Sequence, residues 1–201
     1  MASHPPHRSP RHLHVSLPES PLTSDTHAAP CRTPVTPAIP AQQGTGRHLT
    51  GLVRFNADPP GAAEALLLDC CGSRRWAERV AAHRPYPTLD ALLAAADEAG
   101  YDLSGPDLDE ALSRETSSLP HPDAPPAART ALGAALAAYE SSFGHAFVIS
   151  LDGVPAGERL DQVLEGIRSR LGNEREEERA IAAEELRRLA RTRLTRSITA
   201  R

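Results

Sequence analysis

The side chains of this chain that could do chemistry begin with its nine histidines and three cysteines. Six of the histidines fall in residues 1–48, and His4, His7, His12 and His14 lie close together. Imidazoles so spaced hold a metal only where a fold fixes them, because a metal centre needs a defined ligand geometry. Nothing around these four supplies one, so no metal site is expected and they read as part of a solvated tail. Cys31, Cys70 and Cys71 are an odd set with one adjacent pair. That is no disulfide framework, and it points to a reducing cytoplasm. Cys70 and Cys71 end an apolar run and read as buried helix residues, since free cysteine packs as a small hydrophobe. The other three imidazoles are His83, His121 and His145. Proton transfer near neutral pH is the chemistry open to them.

The elements that must position such groups are helical. Aromatic residues make up 3 % of the 201 residues, while alanine, leucine and arginine are abundant, and the first two are strong helix formers. The basic residues are all arginine, and the net charge of -4 argues against a dedicated nucleic-acid binder. No run of eighteen apolar residues is present, so no membrane span is expected. Arg8 and Arg11 precede no apolar stretch, so no signal peptide is expected. Residues 1–48 carry nine of the nineteen prolines and no apolar periodicity. Such a segment buries too little to offset its ordering entropy and reads as a disordered arm.

From Leu49 to about residue 199 the pattern predicts an all-α domain of about seven helices. Leu52, Val53 and Phe55 lead into a turn at 56–60, and a first helix spans about 60–71. Ser73, Thr88 and Ser104 are placed to cap the next three. Residues 115–126, with four prolines, read as a loop. A fifth helix follows over about 126–142, and then a short apolar extended segment, His145 to Ser150. A sixth helix covers 156–171. Asn173 with Glu176 makes a capping-box-like start to a last helix with a stripe of Ile181, Leu186, Leu189, Leu194 and Ile198. Its charge runs read as a solvated face, and its basic end suits the helix dipole. The loop and the apolar segment are the two irregular parts, and binding residues gather on such parts of a rigid scaffold.

Several strings resemble one family, the 2-oxo-4-hydroxy-4-carboxy-5-ureidoimidazoline (OHCU) decarboxylases. Arg54-Phe55-Asn56 is one. Cys71-Gly72-Ser73-Arg74-Arg75-Trp76 leading to Arg84-Pro85-Tyr86 is another, and Leu92 to Asp97 a third. Tyr139-Glu140-Ser141-Ser142-Phe143-Gly144-His145-Ala146-Phe147-Val148-Ile149 is similar to the family's central string, and Arg170-Leu171-Gly172-Asn173, then Glu178, Glu184-Glu185-Leu186 and Arg193-Leu194, to its C-terminal one. The resemblance implies a cofactor-free helical enzyme, usually a homodimer, acting on a small-molecule ureidoimidazoline. The reaction releases CO2 and protonates the ring carbon stereoselectively to (S)-allantoin. That chemistry asks for a held carboxylate, donors placed for the charge that develops on the ring and a positioned acid.

The site residues follow from the same resemblance. The family's catalytic His-Pro falls, by ungapped count, on Glu115-Thr116. Ser113-Arg114-Glu115-Thr116 also resembles the downstream Ser-x-x-Glu-Gln string, with Thr in place of Gln. Both motifs land on the same four residues, so a stretch between them is missing. His121-Pro122 is the candidate for the displaced dipeptide, although only sixteen residues separate it from Tyr139; the alternative is a solvated loop histidine. Glu115 is read either as a surviving substrate-binding carboxylate or as a helix-end surface residue. Ser113 and Thr116 are candidate substrate contacts, as are the backbone groups of Phe147, Val148, Ile149 and Ser150. His145, following Phe143-Gly144, is placed either to point into the same cleft or, as the default reading, to pack, and Trp76 reads as a core anchor. Two functions compete: an active decarboxylase with a shortened loop, and a non-catalytic member that binds a purine-derived ligand or serves as a helical interaction module.

Overall fold

In the computed structural model, residues 45–117 and 125–201 are described. Among them there are eight α-helices and no strand: α1 Thr45–Ala57, α2 Pro60–Cys70, α3 Arg74–Ala82, α4 Leu89–Tyr101, α5 Gly105–Ser113, α6 Pro126–Phe143, α7 Arg159–Arg170 and α8 Arg175–Thr199. All lie in one unit running from Ala41 to Arg201. The fold is all-α, with one helix more than the sequence pattern predicts.

The additional helix is α1, which begins inside the stretch expected to be arm and continues through residues expected to lead into a turn. Its glycine explains the packing. A Cβ on Gly51 would sit 1.8 Å from the Ile198 carbonyl oxygen, so glycine lets α1 lie directly against α8 at a cost in helix propensity. Leu52 and Phe55 then bury on that side while Val53 stays exposed.

Local rules account for much of α2 to α5. Pro60 starts α2 at a position where its missing N–H is not needed. Ser73 and Thr88 accept the N–H groups of Trp76 and Ala91, and Ser104 with Asp107 closes a complete capping box on α5. Trp76 is buried and its indole N–H donates to the Ala96 carbonyl at 2.8 Å. Two of the short strings meet here. The Asn56 side chain exchanges two hydrogen bonds with the Tyr86 backbone, at 2.8 and 2.9 Å. Arg84 donates to the carbonyls of Phe55 and Asp58 at the end of α1. These contacts satisfy carbonyls that a helix terminus leaves open.

Helix α8 runs along α1, α2 and α4. Its buried positions are Glu178, Ala182, Leu186, Ala190, Leu194 and Ile198, a step of four. In a helix of 3.6 residues per turn such a stripe drifts by about 40° per step, or about 200° over its length, which lets one helix serve several neighbours. Ile181 and Leu189, expected in the stripe, are only half-buried, because the small Ala182 and Ala190 take the positions of closest approach. The expected Asn173 cap does not form either. Glu174 is the N-cap without a side-chain bond, and the Asn173 amide instead donates to Glu178 at 3.0 Å. Nor is the charged surface of α8 simply solvated: Arg179, Arg191 and Arg193 pair with Asp109, Asp97 and Glu115 on other elements.

Helices α6 and α7 pack on each other around a second, smaller core of Leu132, Leu136, Tyr139, Phe147, Val163 and Ile167. The extended segment expected over 145–150 is present as non-helical backbone between them.

Candidate functional site

Gly144 ends α6 at φ +81°, a left-handed conformation that favours glycine. It turns the chain sharply into His145 and Ala146. The end of α5 leads into Glu115, Thr116 and Ser117. Between these two turns and the flank of α6 lies an open cleft of about 670 Å3, lined among others by Ser113, Glu115, Thr116, Ser117, Glu140 and His145.

Three of the expected site residues therefore come together. Ser113 is exposed, and its hydroxyl donates to the Glu110 carbonyl within its own helix. Thr116 is exposed on the cleft wall. Glu115 is half-buried, and both of its oxygens are held by Arg193 of α8, at 2.6 and 2.8 Å. That bidentate geometry is the strong form of the pair. Arg193 also donates to the Cys70 carbonyl at 3.2 Å, and the Glu115 carboxylate holds its guanidinium above the usual arginine value. Glu115 thus faces the cleft with its charge already matched, and it is neither a free carboxylate nor a surface residue. His121 lies outside the described residues.

The Phe147–Ser150 strip does not line the cleft, which reaches only to Ala146. It is joined to it through Ser117: the Phe147 N–H donates to the Ser117 hydroxyl at 3.1 Å, and that hydroxyl donates to Glu140 at 2.9 Å. The Ser150 N–H donates to Glu185 at 2.7 Å. The Val148 carbonyl accepts from Arg170 at 2.8 Å.

Arg170 belongs to a buried cluster that the sequence reading missed. Its guanidinium pairs with Glu178, lies 4.5 Å over the Phe147 ring, and donates to the Tyr139 hydroxyl, which itself donates to Glu178. Burial and the adjacent carboxylate push the Tyr139 hydroxyl well above the ordinary phenol value. Glu178 is fully buried with four donors around it, as an ion inside a protein must be. The spacing of Arg170, Asn173 and Glu178 was visible, but burial of the charges was not, because charged residues are almost always exposed. His145 does enter the cleft, one of the two readings of it, whereas Ser117 and Glu140 escape for a different reason: a turn brings them together, and no periodicity records it.

Cys70 and Cys71 are buried and free, and burial pushes both thiols up to about 11, so they are inert near neutral pH. Among the described residues no cluster of His, Cys, Asp and Glu could hold a metal, and no helix is long and apolar enough to cross a membrane.

The OHCU decarboxylase family model matches residues 56–115 and 102–195. The two matches share residues 102–115, where α5 and Glu115 lie, so that stretch corresponds to two parts of the family pattern. No curated protein matches the chain by sequence. The fold is similar to the crystal structure of an (S)-allantoin synthase, with a TM-score of 0.58 and 18 % identity over 73 % of this chain. It is also similar to an OHCU decarboxylase crystallised in the presence of (S)-allantoin, with a TM-score of 0.54 and 22 % identity over 63 % of this chain and 92 % of that one. The chain accounts for about half of the allantoin synthase, 53 % of its length. At these identities the likeness is one of fold. The family matches together span residues 56–195, from the first turn to the last helix, and the chain belongs to the OHCU decarboxylase family.

Proposed function

We propose that this chain decarboxylates OHCU in urate breakdown, releasing CO2 and yielding (S)-allantoin, at the cleft between α5, α6 and the Gly144 turn. The observation that carries this is that the second family match, residues 102–195, contains every element lining that cleft. Orientation of the substrate by Glu115, Ser113 and Thr116 is the role taken from the resemblance; ring binding by the Phe147–Ser150 backbone is not carried over, because that strip lies outside the cleft and its Phe147 and Ser150 N–H groups and Val148 carbonyl are already bonded. The acid that the resemblance asks for is a histidine, and this chain carries none at the family's own position. The same reading makes the protein a cytoplasmic, cofactor-free homodimer.

A second reading, a non-catalytic member that binds a purine-derived ligand, is favoured by one observation. The described lining of the cleft contains no arginine, so no guanidinium there meets the carboxylate that must leave, and Glu115 is already neutralised by Arg193. The two readings separate on stereochemistry. With OHCU generated in situ from urate, circular dichroism of the allantoin formed shows an excess of the S product if the chain is an enzyme. Racemic allantoin at the rate of a protein-free blank sinks the decarboxylase reading and leaves the binding one.

A further inference from the structure

We infer that His145, and not a displaced loop histidine, is the group that protonates the ring carbon; this rests on the decarboxylase reading above. The His-Pro string that the resemblance expects falls on Glu115-Thr116, just after α5, and of the two imidazoles whose surroundings are described, only His145 lines the cleft. His83 is exposed at the end of α3, with its Nδ1 on the Arg79 carbonyl.

The setting of His145 is that of a positioned acid. Its Nδ1 lies 3.0 Å from the Ala146 carbonyl oxygen. A carbonyl only accepts, so Nδ1 carries the hydrogen and Nε2 is left to exchange a proton. Nε2 has no partner among the described residues. The ring is half-buried, packed edge-on against Tyr139 at 5.6 Å and beside Phe143 at 6.4 Å, so its orientation is set by packing. Gly144 supplies the turn that aims it. Glu115 and Thr116 line the same cleft from the turn that follows α5, and the Phe147 strip begins two residues on from His145.

The step balances without a co-reactant. The C–C bond to the carboxylate breaks and CO2 leaves. The electron pair stays on the ring. The proton on Nε2 of the imidazolium passes to the ring carbon, and the imidazole regains a proton from water. Delivery from one fixed side gives one enantiomer.

The test uses the full chain and OHCU made in situ, with His145→Gln, His145→Ala and His121→Gln compared by allantoin dichroism and by thermal melting. Glutamine keeps a donor for the Ala146 carbonyl. In the expected result His145→Gln melts as the parent does but loses the S excess and slows by about 100-fold, the scale of a general acid. His145→Ala regains an S excess on adding free imidazole, which the open cleft admits, and His121→Gln stays within about threefold of the parent. If the parent gives an S excess that His145→Gln retains, the inference is overturned while the decarboxylase reading stands. An S excess lost in His145→Ala and not restored by imidazole also overturns it, making His145 a packing residue. A racemic product from the parent brings down the decarboxylase reading and this inference together.

Discussion

The α1–α5 bundle around α8 and the α6–α7 pair are built by different means. The bundle is held by a continuous apolar core from Leu52 to Ile198, rich in alanine and leucine, and three of its helices start on side-chain caps. The α6–α7 pair has a small aromatic core. Its helices begin without a side-chain cap, and it is tied to α8 and the α5 end by polar links: Arg170 to Glu178, Ser150 to Glu185 and Phe147 to Ser117. Apolar cores are tolerant and non-directional. Buried polar links are directional and costly to break. The cleft lies where the second kind of construction meets the first, which suits a site that must hold donors in fixed positions.

The largest expected effect comes from breaking the polar side of that contrast. Glu178→Ala strands the Arg170 guanidinium in a buried site and is expected to cost about 3–5 kcal/mol in urea unfolding. The double variant Arg170→Met with Glu178→Leu removes both charges and is expected to recover most of that loss. In Glu178→Ala, amide exchange should rise in α6 and α7 well before α2 and α4, as local opening follows the weakened unit. A cost below about 1 kcal/mol, or an exchange increase spread evenly over all helices, would remove the distinction between the two regions.

This contrast also decides what the sequence discloses. Caps and apolar spacing are local, so Ser73, Thr88 and Ser104 name their helices without any knowledge of the fold. Helix α1 escapes because it straddles the end of the proline-rich arm and a short apolar lead into a turn, and its packing on Ile198 through Gly51 is a long-range contact. The polar links join residues far apart, such as Tyr139 with Glu178 or Ser117 with Phe147, and no local rule pairs them. The site divides in the same way. Ser113, Glu115 and Thr116 are found through the family strings, and Arg193 lies in another of them, but nothing local says that it neutralises Glu115. His145 follows the glycine of a left-handed turn, so its entry to the cleft is legible, but the carbonyl that holds its ring is not.

The second prediction sharpens the apolar side. Cys70 and Cys71 in the bundle behave as hydrocarbon, and burial lifts both thiols from 9.0 to about 11. The folded chain therefore favours the protonated thiol. This stability is fully present below the unfolded value near 9 and is lost as the pH rises from there towards 11. The loss is on the order of 2 kcal/mol per thiol. Urea unfolding should show stability declining over this window, with a shallower decline in a Cys70→Ala, Cys71→Ala variant. An unchanged slope would mean that the thiols are hydrated in the folded state and that the bundle core is wetter than its burial indicates.

The smallest effect tests whether caps distinguish the two regions at all. The Ser104 hydroxyl accepts the Asp107 N–H at 3.4 Å, and the Asp107 carboxylate accepts the Ser104 N–H at 3.1 Å, so each side chain satisfies a donor that α5 itself cannot. Ser104→Ala removes one of these bonds and is expected to cost about 1 kcal/mol, with Ser104→Gly costing only a few tenths. The matching position on α7 is Glu158, whose backbone is already helical and whose side chain caps nothing. Glu158→Ala should then fall within about 0.5 kcal/mol of the parent. Equal costs at the two positions would mean that the start of α7 is held by its own end chemistry, like the bundle helices, and that its polar links to α8 are not what fixes the pair.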